Sequence, residues 1–166
     1  MLFAPKGNLL TNGDFEDDAE DTPPEGWNSV NVTVGGPDTA FSGERAALLG
    51  GCDPCEPAVL YQDVNVAPLH KYQLTFQVSG ILPAAGDLVA EVRWLDHCCT
   101  DMGLGLHVYM NAAAFGKIHE GIWDAQSHIT DCAPIGAYMA RILFTRSGKP
   151  DSGPNVLDGL SFANIT

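Results

Sequence analysis

The chain has 166 residues, enough for one sizeable hydrophobic core, and its 45% hydrophobic content with 18 Gly and 11 Pro fits an ordered, turn-rich protein. Its 21 acidic residues outnumber 8 basic ones, and the formal charge of −13 sets it against phosphate backbones and anionic membranes, which argues against nucleic-acid binding. No apolar run reaches the roughly 18 residues of a membrane-spanning helix, and the segment from Met1 to Lys6 lacks the pattern of a signal peptide, so no membrane insertion is expected.

In chain order, residues 1–7 read as a loose arm ahead of one domain spanning 1–166. Asn8 to Glu16 reads as a short strand, a tight Asn12-Gly13 turn and an acidic anchor. Seven acids fall within the twelve residues 14–25: Asp14, Glu16, Asp17, Asp18, Glu20, Asp21 and Glu25. They make a solvated acidic loop, or their first members hold a hard cation. Trp27 opens the next strand and reads as core.

Strands are expected near 29–34, 45–50 and 58–66. Period-two alternation is clear at Tyr72, Leu74, Phe76 and Val78, again at Ala90, Val92 and Trp94, and again at Tyr138, Ala140, Ile142 and Phe144. Further strands are expected near 104–111, 119–124 and 155–164. Turn signals fall at Gly35 to Asp38, Gly50-Gly51, Pro83 to Gly86 and Gly148 to Pro154. No segment has a sustained helical period. The fold class that follows is all-β, a two-sheet antiparallel β-sandwich of about eight to ten strands with jelly-roll topology.

The five cysteines are Cys52, Cys55, Cys98, Cys99 and Cys132. Strands that alternate end for end put Cys52 and Cys55 at one end of the sandwich. The same count puts Cys98, Cys99 and Cys132 at the other. A disulfide between Cys132 and Cys98 or Cys99 is expected, with Cys52 and Cys55 joined to each other or both free. Reduced thiols, and a zinc site built from Cys52, Cys55 and Cys98 or Cys99, are the alternatives.

The chain carries no nucleophile-elbow, zinc-protease, phosphate-loop or dinucleotide motif, and Glu91 is the only acid clearly inside a strand on a non-core face. A paired-carboxylate glycosidase site is therefore not expected. Alternation instead puts Gln73, Gln77, Glu91, Arg93 and Arg141 on faces opposite Phe76, Val92 and Ile142. These amides, the carboxylate and the guanidiniums suit hydroxylated ligands. Thr75, His107 and Tyr109 are candidates beside them. Trp94 reads as core, and Trp123 remains open as a stacking platform.

The opening Asn8-Leu9-Leu10-Thr11-Asn12-Gly13-Asp14-Phe15-Glu16, then Pro24-Glu25-Gly26-Trp27, Leu60-Tyr61-Gln62-Asp63-Val64-Asn65-Val66 and the terminal Val156-Leu157-Asp158-Gly159-Leu160 together resemble one family. It is the galactose-binding-like β-sandwiches, which include many carbohydrate-binding modules of bacterial glycoside hydrolases. The resemblance implies a non-catalytic module that binds an oligosaccharide or cell-surface glycan across a concave sheet. It also implies a structural Ca²⁺ held by Glu16 and Asp158, with Asp14 adding a ligand or capping the turn and carbonyls of the 41–44 loop completing the shell. Related sandwich domains also open surface proteins of spore-forming bacteria, which implies the alternative of a structural or assembly domain. That domain would form a homo-oligomer at a cell or spore surface without binding sugar.

Overall fold

The computed structural model describes residues 7–81 and 85–166; the expected arm at 1–7, save Gly7, and the first half of the turn at Pro83 to Gly86 fall outside them. Ten strands are described: β1 (Asn28–Val30), β2 (Val32–Gly35), β3 (Ala46–Leu49), β4 (Ala58–Asn65), β5 (Tyr72–Gly80), β6 (Leu88–Leu95), β7 (Asp101–Met110), β8 (Asp124–Ile129), β9 (Met139–Arg146) and β10 (Asn155–Asn164). They form two five-stranded sheets, β1-β4-β9-β6-β7 and β2-β3-β10-β5-β8, with every strand pair antiparallel. The all-β sandwich expected from the alternation is the observed fold. No helix among the described residues is long and apolar enough to cross a membrane.

Alternate residues of β4, β5, β6 and β9 are buried, and these inward rows meet in one core with Trp27 and Trp94. Tyr72 stacks on Phe162 at 5.0 Å between ring centroids, and Phe76 meets Phe144 edge-on at 5.2 Å. Both tryptophans expected in the core are there.

Three local expectations differ from the structure. The stretch near 29–34 is two strands in different sheets, because Asn31 takes the left-handed conformation (φ 57°) and hands the chain across. Its side chain holds the crossing by accepting from the backbone N–H groups of Cys52 and Asp53. The segment near 119–124 begins as a 3-10 turn at Ile118–Glu120, and the strand starts only at Asp124. The opening Asn8-Leu9-Leu10 makes one isolated bridge, Asn8 to Ala163, in place of a strand.

Side-chain amides replace the missing ladder. Asn8 Nδ2 donates to the Leu160 carbonyl and Asn8 Oδ1 accepts from Phe162 N–H. Buried Gln62 accepts from Thr11 N–H and donates to the Thr11 and Gly26 carbonyls. Gly13 is required for the same docking: a Cβ there would lie 2.2 Å from the Leu160 carbonyl oxygen.

At the opposite end, Arg146 is 1% exposed and has no carboxylate partner among the described residues. Its guanidinium donates to Asn155 Oδ1, the Pro54 and Gly153 carbonyls and Ser152 Oγ, tying two loops to β9 and β10. Burial lowers its pKa, yet the four neutral acceptors leave it solvated by protein in place of water. Gly50, with φ 87°, makes the room: a Cβ would sit 2.8 Å from Arg146 Nη1. Replacing Arg146→Met keeps bulk but strands these acceptors, and we expect a loss of about 3 kcal/mol in urea denaturation. A loss below about 1 kcal/mol would show that the node is not needed.

Candidate ligand-binding face

The register of β4, β9, β6 and β7 fixes the outer face of the first sheet. One row across the strands is Val30, Val59, Thr145, Val89 and Tyr109, and the next is Asn28, Tyr61, Leu143, Glu91 and His107. The third is Asp63, Arg141, Arg93 and Leu104. Glu91, Arg93 and Arg141 therefore share this face, as alternation implied. Gln73 and Gln77 do not. They lie on β5, in the other sheet, on the far side of the sandwich. Alternation tells inward from outward but leaves the choice of sheet open, and the expected five-residue site divides on that point.

The two arginines are locked by carboxylates. Arg141 donates from Nε to Asp63 Oδ1 at 2.8 Å and from Nη2 to Asp63 Oδ2 at 2.9 Å, a bidentate pair. Its guanidinium carbon also sits 4.3 Å above the Tyr61 ring. Arg93 donates from Nη1 to Asp101 Oδ2 at 2.7 Å and from Nη2 to Glu91 Oε2 at 3.0 Å. His107 Nδ1 lies 3.8 Å from the same Glu91 oxygen. The hydrogen bonds that Arg93 donates to Asp101 and Arg141 to Asp63, together with the charges of Glu91, Asp101 and Asp63, raise the pKa of both guanidiniums, so they stay charged throughout the working pH range. At the margin of the face, half-exposed Tyr109 donates its hydroxyl to Asp87, which also accepts from Ala112 N–H and is held below the ordinary carboxylate range by these two bonds.

Tyr61, Asp63 and Asp101 belong to this site and were not among the expected residues. The signal for the first two was present: the inward Leu60, Gln62 and Val64 leave Tyr61, Asp63 and Asn65 facing out. Asp63 and Asn65 also line a cleft of about 390 Å³ together with Leu9, Thr11 and Gly26. The result is a fixed array of hydrogen-bond donors and acceptors beside two tyrosine rings, with a polar cleft at one margin.

The acids expected to hold Ca²⁺ flank the 41–45 loop. Asp158 is fully buried in β10, where Oδ2 accepts from the N–H groups of Phe41 and Ser42 and Oδ1 from Gly159. Burial pushes its carboxyl above the ordinary value, three backbone donors pull it down, and the Glu16 charge pushes it up again. Glu16 Oε1 accepts from Glu44 and Arg45 N–H, both at 2.9 Å. Asp14 caps the turn through Glu16 N–H. Among the described residues no three His, Cys, Asp or Glu side chains gather as a metal cluster. The donor set fits a hard cation in one respect, two coupled carboxylates facing one loop, and backbone N–H groups already satisfy both.

All five cysteines are free and exposed, so the expected disulfides among them are not formed. The end-for-end placement holds. Cys98 and Cys99 sit in the β6–β7 turn closed by Asp96, and Cys52 and Cys55 flank Pro54, whose carbonyl accepts from Arg146 at the other end. Cys132 is at the same end as Cys98 and Cys99. Its neighbours are pinned elsewhere, Asp131 N–H to the Gly105 carbonyl on β7 and Ala133 N–H to the His70 carbonyl. A zinc site joining Cys52 and Cys55 to Cys98 or Cys99 would have to span the length of the sandwich, and that reading is excluded.

No family model matches the chain, and no curated protein does. Solved structures match it closely in shape. A module named TmCBM61, solved with β-1,4-galactotriose, superposes with a TM-score of 0.64 at 18% identity, covering 95% of this chain and 98% of that one. The CBM22-1 xylan-binding domain of Paenibacillus barcinonensis Xyn10C gives 0.62 at 17% identity, covering 99% of each. The enzymatically active domain of bacteriophage CBA120 tailspike protein 4 gives 0.71 at 19% identity, but the chain spans only 21% of that protein's length. What these structures share with this chain is the antiparallel β-sandwich fold. The two of these that match over their full length are binding domains.

Charge pairing on the face can be read by titration. Asp101 is held below the ordinary carboxylate range first by Gly103 N–H and then by Arg93. Carboxyl NMR of Arg93→Ala should therefore show the Asp101 midpoint rising only part of the way to its ordinary value. A midpoint that does not move would show that the Arg93–Asp101 contact is not held in solution.

Proposed function

We propose that the chain is a non-catalytic carbohydrate-binding module that holds a saccharide on the outer face of the β1-β4-β9-β6-β7 sheet. Glu91, Arg93 and Arg141 are its central contacts, with Asp63 and Asp101 fixing the guanidiniums and Tyr61 and Tyr109 offering ring surface. The observation that carries this reading is the adjacent pair of arginines, opposite one another in the ladder and each held by carboxylates. Such pre-set donors lose little freedom on binding, and the carboxylate oxygens accept from hydroxyls. The likeness to modules solved with β-1,4-galactotriose and described as xylan-binding supports the ligand class.

Each sugar contact replaces a bond to water and nets about 0.5–1.5 kcal/mol. We therefore expect dissociation constants in the range of about 10 μM to millimolar. Calorimetric titration with β-1,4-galactotriose and xylohexaose should show binding, weakened at least about tenfold, or 1.4 kcal/mol, by Arg93→Ala or Arg141→Ala. Binding unchanged in both variants would remove the site from this face.

We further propose that Ca²⁺ binds between Glu16 and Asp158 as a structural ion. The support is a fully buried carboxylate with no cationic partner among the described residues, coupled to a second acid across one loop. A carboxyl raised above its ordinary value in the folded state costs stability at neutral pH, and the cost disappears as pH falls through that folded-state value. A bound dication would offset the cost. Adding Ca²⁺ at neutral pH should raise the melting temperature and a chelator should reverse it, with the increment shrinking as pH approaches the ordinary carboxylate range. A melting temperature indifferent to both would count against the ion.

The alternative, a structural or assembly domain of a cell or spore surface, draws support from the five exposed thiols and from Leu69 and Ile135, exposed at the Cys132 end. Both readings go with an extracellular or surface location. Mass measurement with and without reductant separates them: a monomer that binds sugar supports the module, and stable oligomers that bind none support the assembly domain.

A further inference from the structure

Trp27 and Trp94 are 8% and 2% exposed and belong to the core, whereas Trp123 lies half-buried at the surface of the other sheet. Its ring meets Phe41, itself 49% exposed, at 5.5 Å and 66°. The two rings come from separate loops, and both loops are anchored. Phe41 N–H donates to Asp158 Oδ2 at 2.9 Å, and Ser79 Oγ donates to the Ile122 carbonyl at 2.7 Å.

Strand register brings Gln77 beside this pair. It lies opposite Asp158 on one side and Ala125, two residues beyond Trp123, on the other. The Gln73 amide donates to Ser127 Oγ, but the half-buried Gln77 amide has no partner among the described residues. The floor next to it is open: Gly159 is exposed, and a Cβ there would touch only Gln77 Cγ, at 3.9 Å. Ring surface for the C–H face of a sugar, an unpaired amide with two donors and an acceptor for its hydroxyls, and room above a glycine are thus gathered in one place.

We propose that Phe41, Trp123 and Gln77 form a second saccharide-binding site, on the sheet facing away from Arg93 and Arg141. Its ligand is an uncharged sugar ring stacked on Trp123 and bridged by Gln77. The proposal rests on the saccharide-binding reading of the chain and adds a second face to it. A module with two opposed faces can hold two glycan chains at once.

Trp27 and Trp94 are buried and also emit, so an emission change is assigned to the second face by its loss in Trp123→Ala. With β-1,4-galactotriose and xylohexaose as probes, wild type and Arg93→Ala should show the same saturable emission change. Gln77→Ala should shift its midpoint at least threefold, and calorimetric stoichiometry should fall from two to one in Trp123→Ala. Gln77→Ala removes no core packing, so its result stands even if Trp123→Ala folds poorly. A single equivalent bound, lost in Arg93→Ala and silent in emission, would overturn the second site and leave the first. No heat and no emission change with either probe would overturn both.

Discussion

Strand β9 is paired on both edges, with β4 on one side and β6 on the other, and its register is the constraint on which the first face depends. Ala140, Ile142 and Phe144 must point into the core, so Met139, Arg141, Leu143 and Thr145 must point out. A slip of one residue would bury Arg141 and expose Ile142. The same register sets Arg141 between Asp63 and Arg93, and a β-bulge after Val92 brings Leu104 to the end of that row. Core packing thus positions the polar groups without any need for them to stabilise the fold.

Pairing gives those groups their chemistry. Two arginines and three acids share the face, so the guanidiniums are neutralised, fixed in plane and left with spare donors. Exposed ion pairs of this kind add little to stability, so folding does not depend on their placement. Arg146 is the contrast. It too is an arginine of β9, but it is buried among carbonyls and an amide, and it serves only to tie loops together. Two residues on one strand, five positions apart, are directed to different tasks by the side of the sheet on which they fall.

Much of this was legible in the sequence. The alternation at 72–79, 90–95 and 138–145 located strands whose inward rows are the observed core, and Trp27 and Trp94 were rightly assigned to it. The end-for-end count put the cysteines at the correct poles. Sheet membership was not legible, because alternation along one strand says nothing about which neighbours it pairs with, so Gln73 and Gln77 point away from the core as expected but on the other sheet from Glu91, Arg93 and Arg141. The crossing at Asn31 and the late start of β8 depend on a single left-handed residue and a 3-10 turn, neither of which changes the hydrophobic period. Asp63 and Asp101 were hidden in another way. Their roles come from cross-strand partners, Arg141 and Arg93, that are distant in sequence or across a bulged turn.

The central claim is that sugar lies across β4, β9 and β6 and engages the paired arginines. The most direct measurement is an NMR titration of ¹⁵N-labelled protein with xylohexaose, following the Nε–H resonances of Arg93, Arg141 and Arg146. The account predicts saturable shifts at Arg93 and Arg141, with backbone shifts clustered on their strands and on Asp63, while buried Arg146 stays still. Shifts confined to the loops at either end of the sandwich, with Arg93 and Arg141 unmoved, would contradict it.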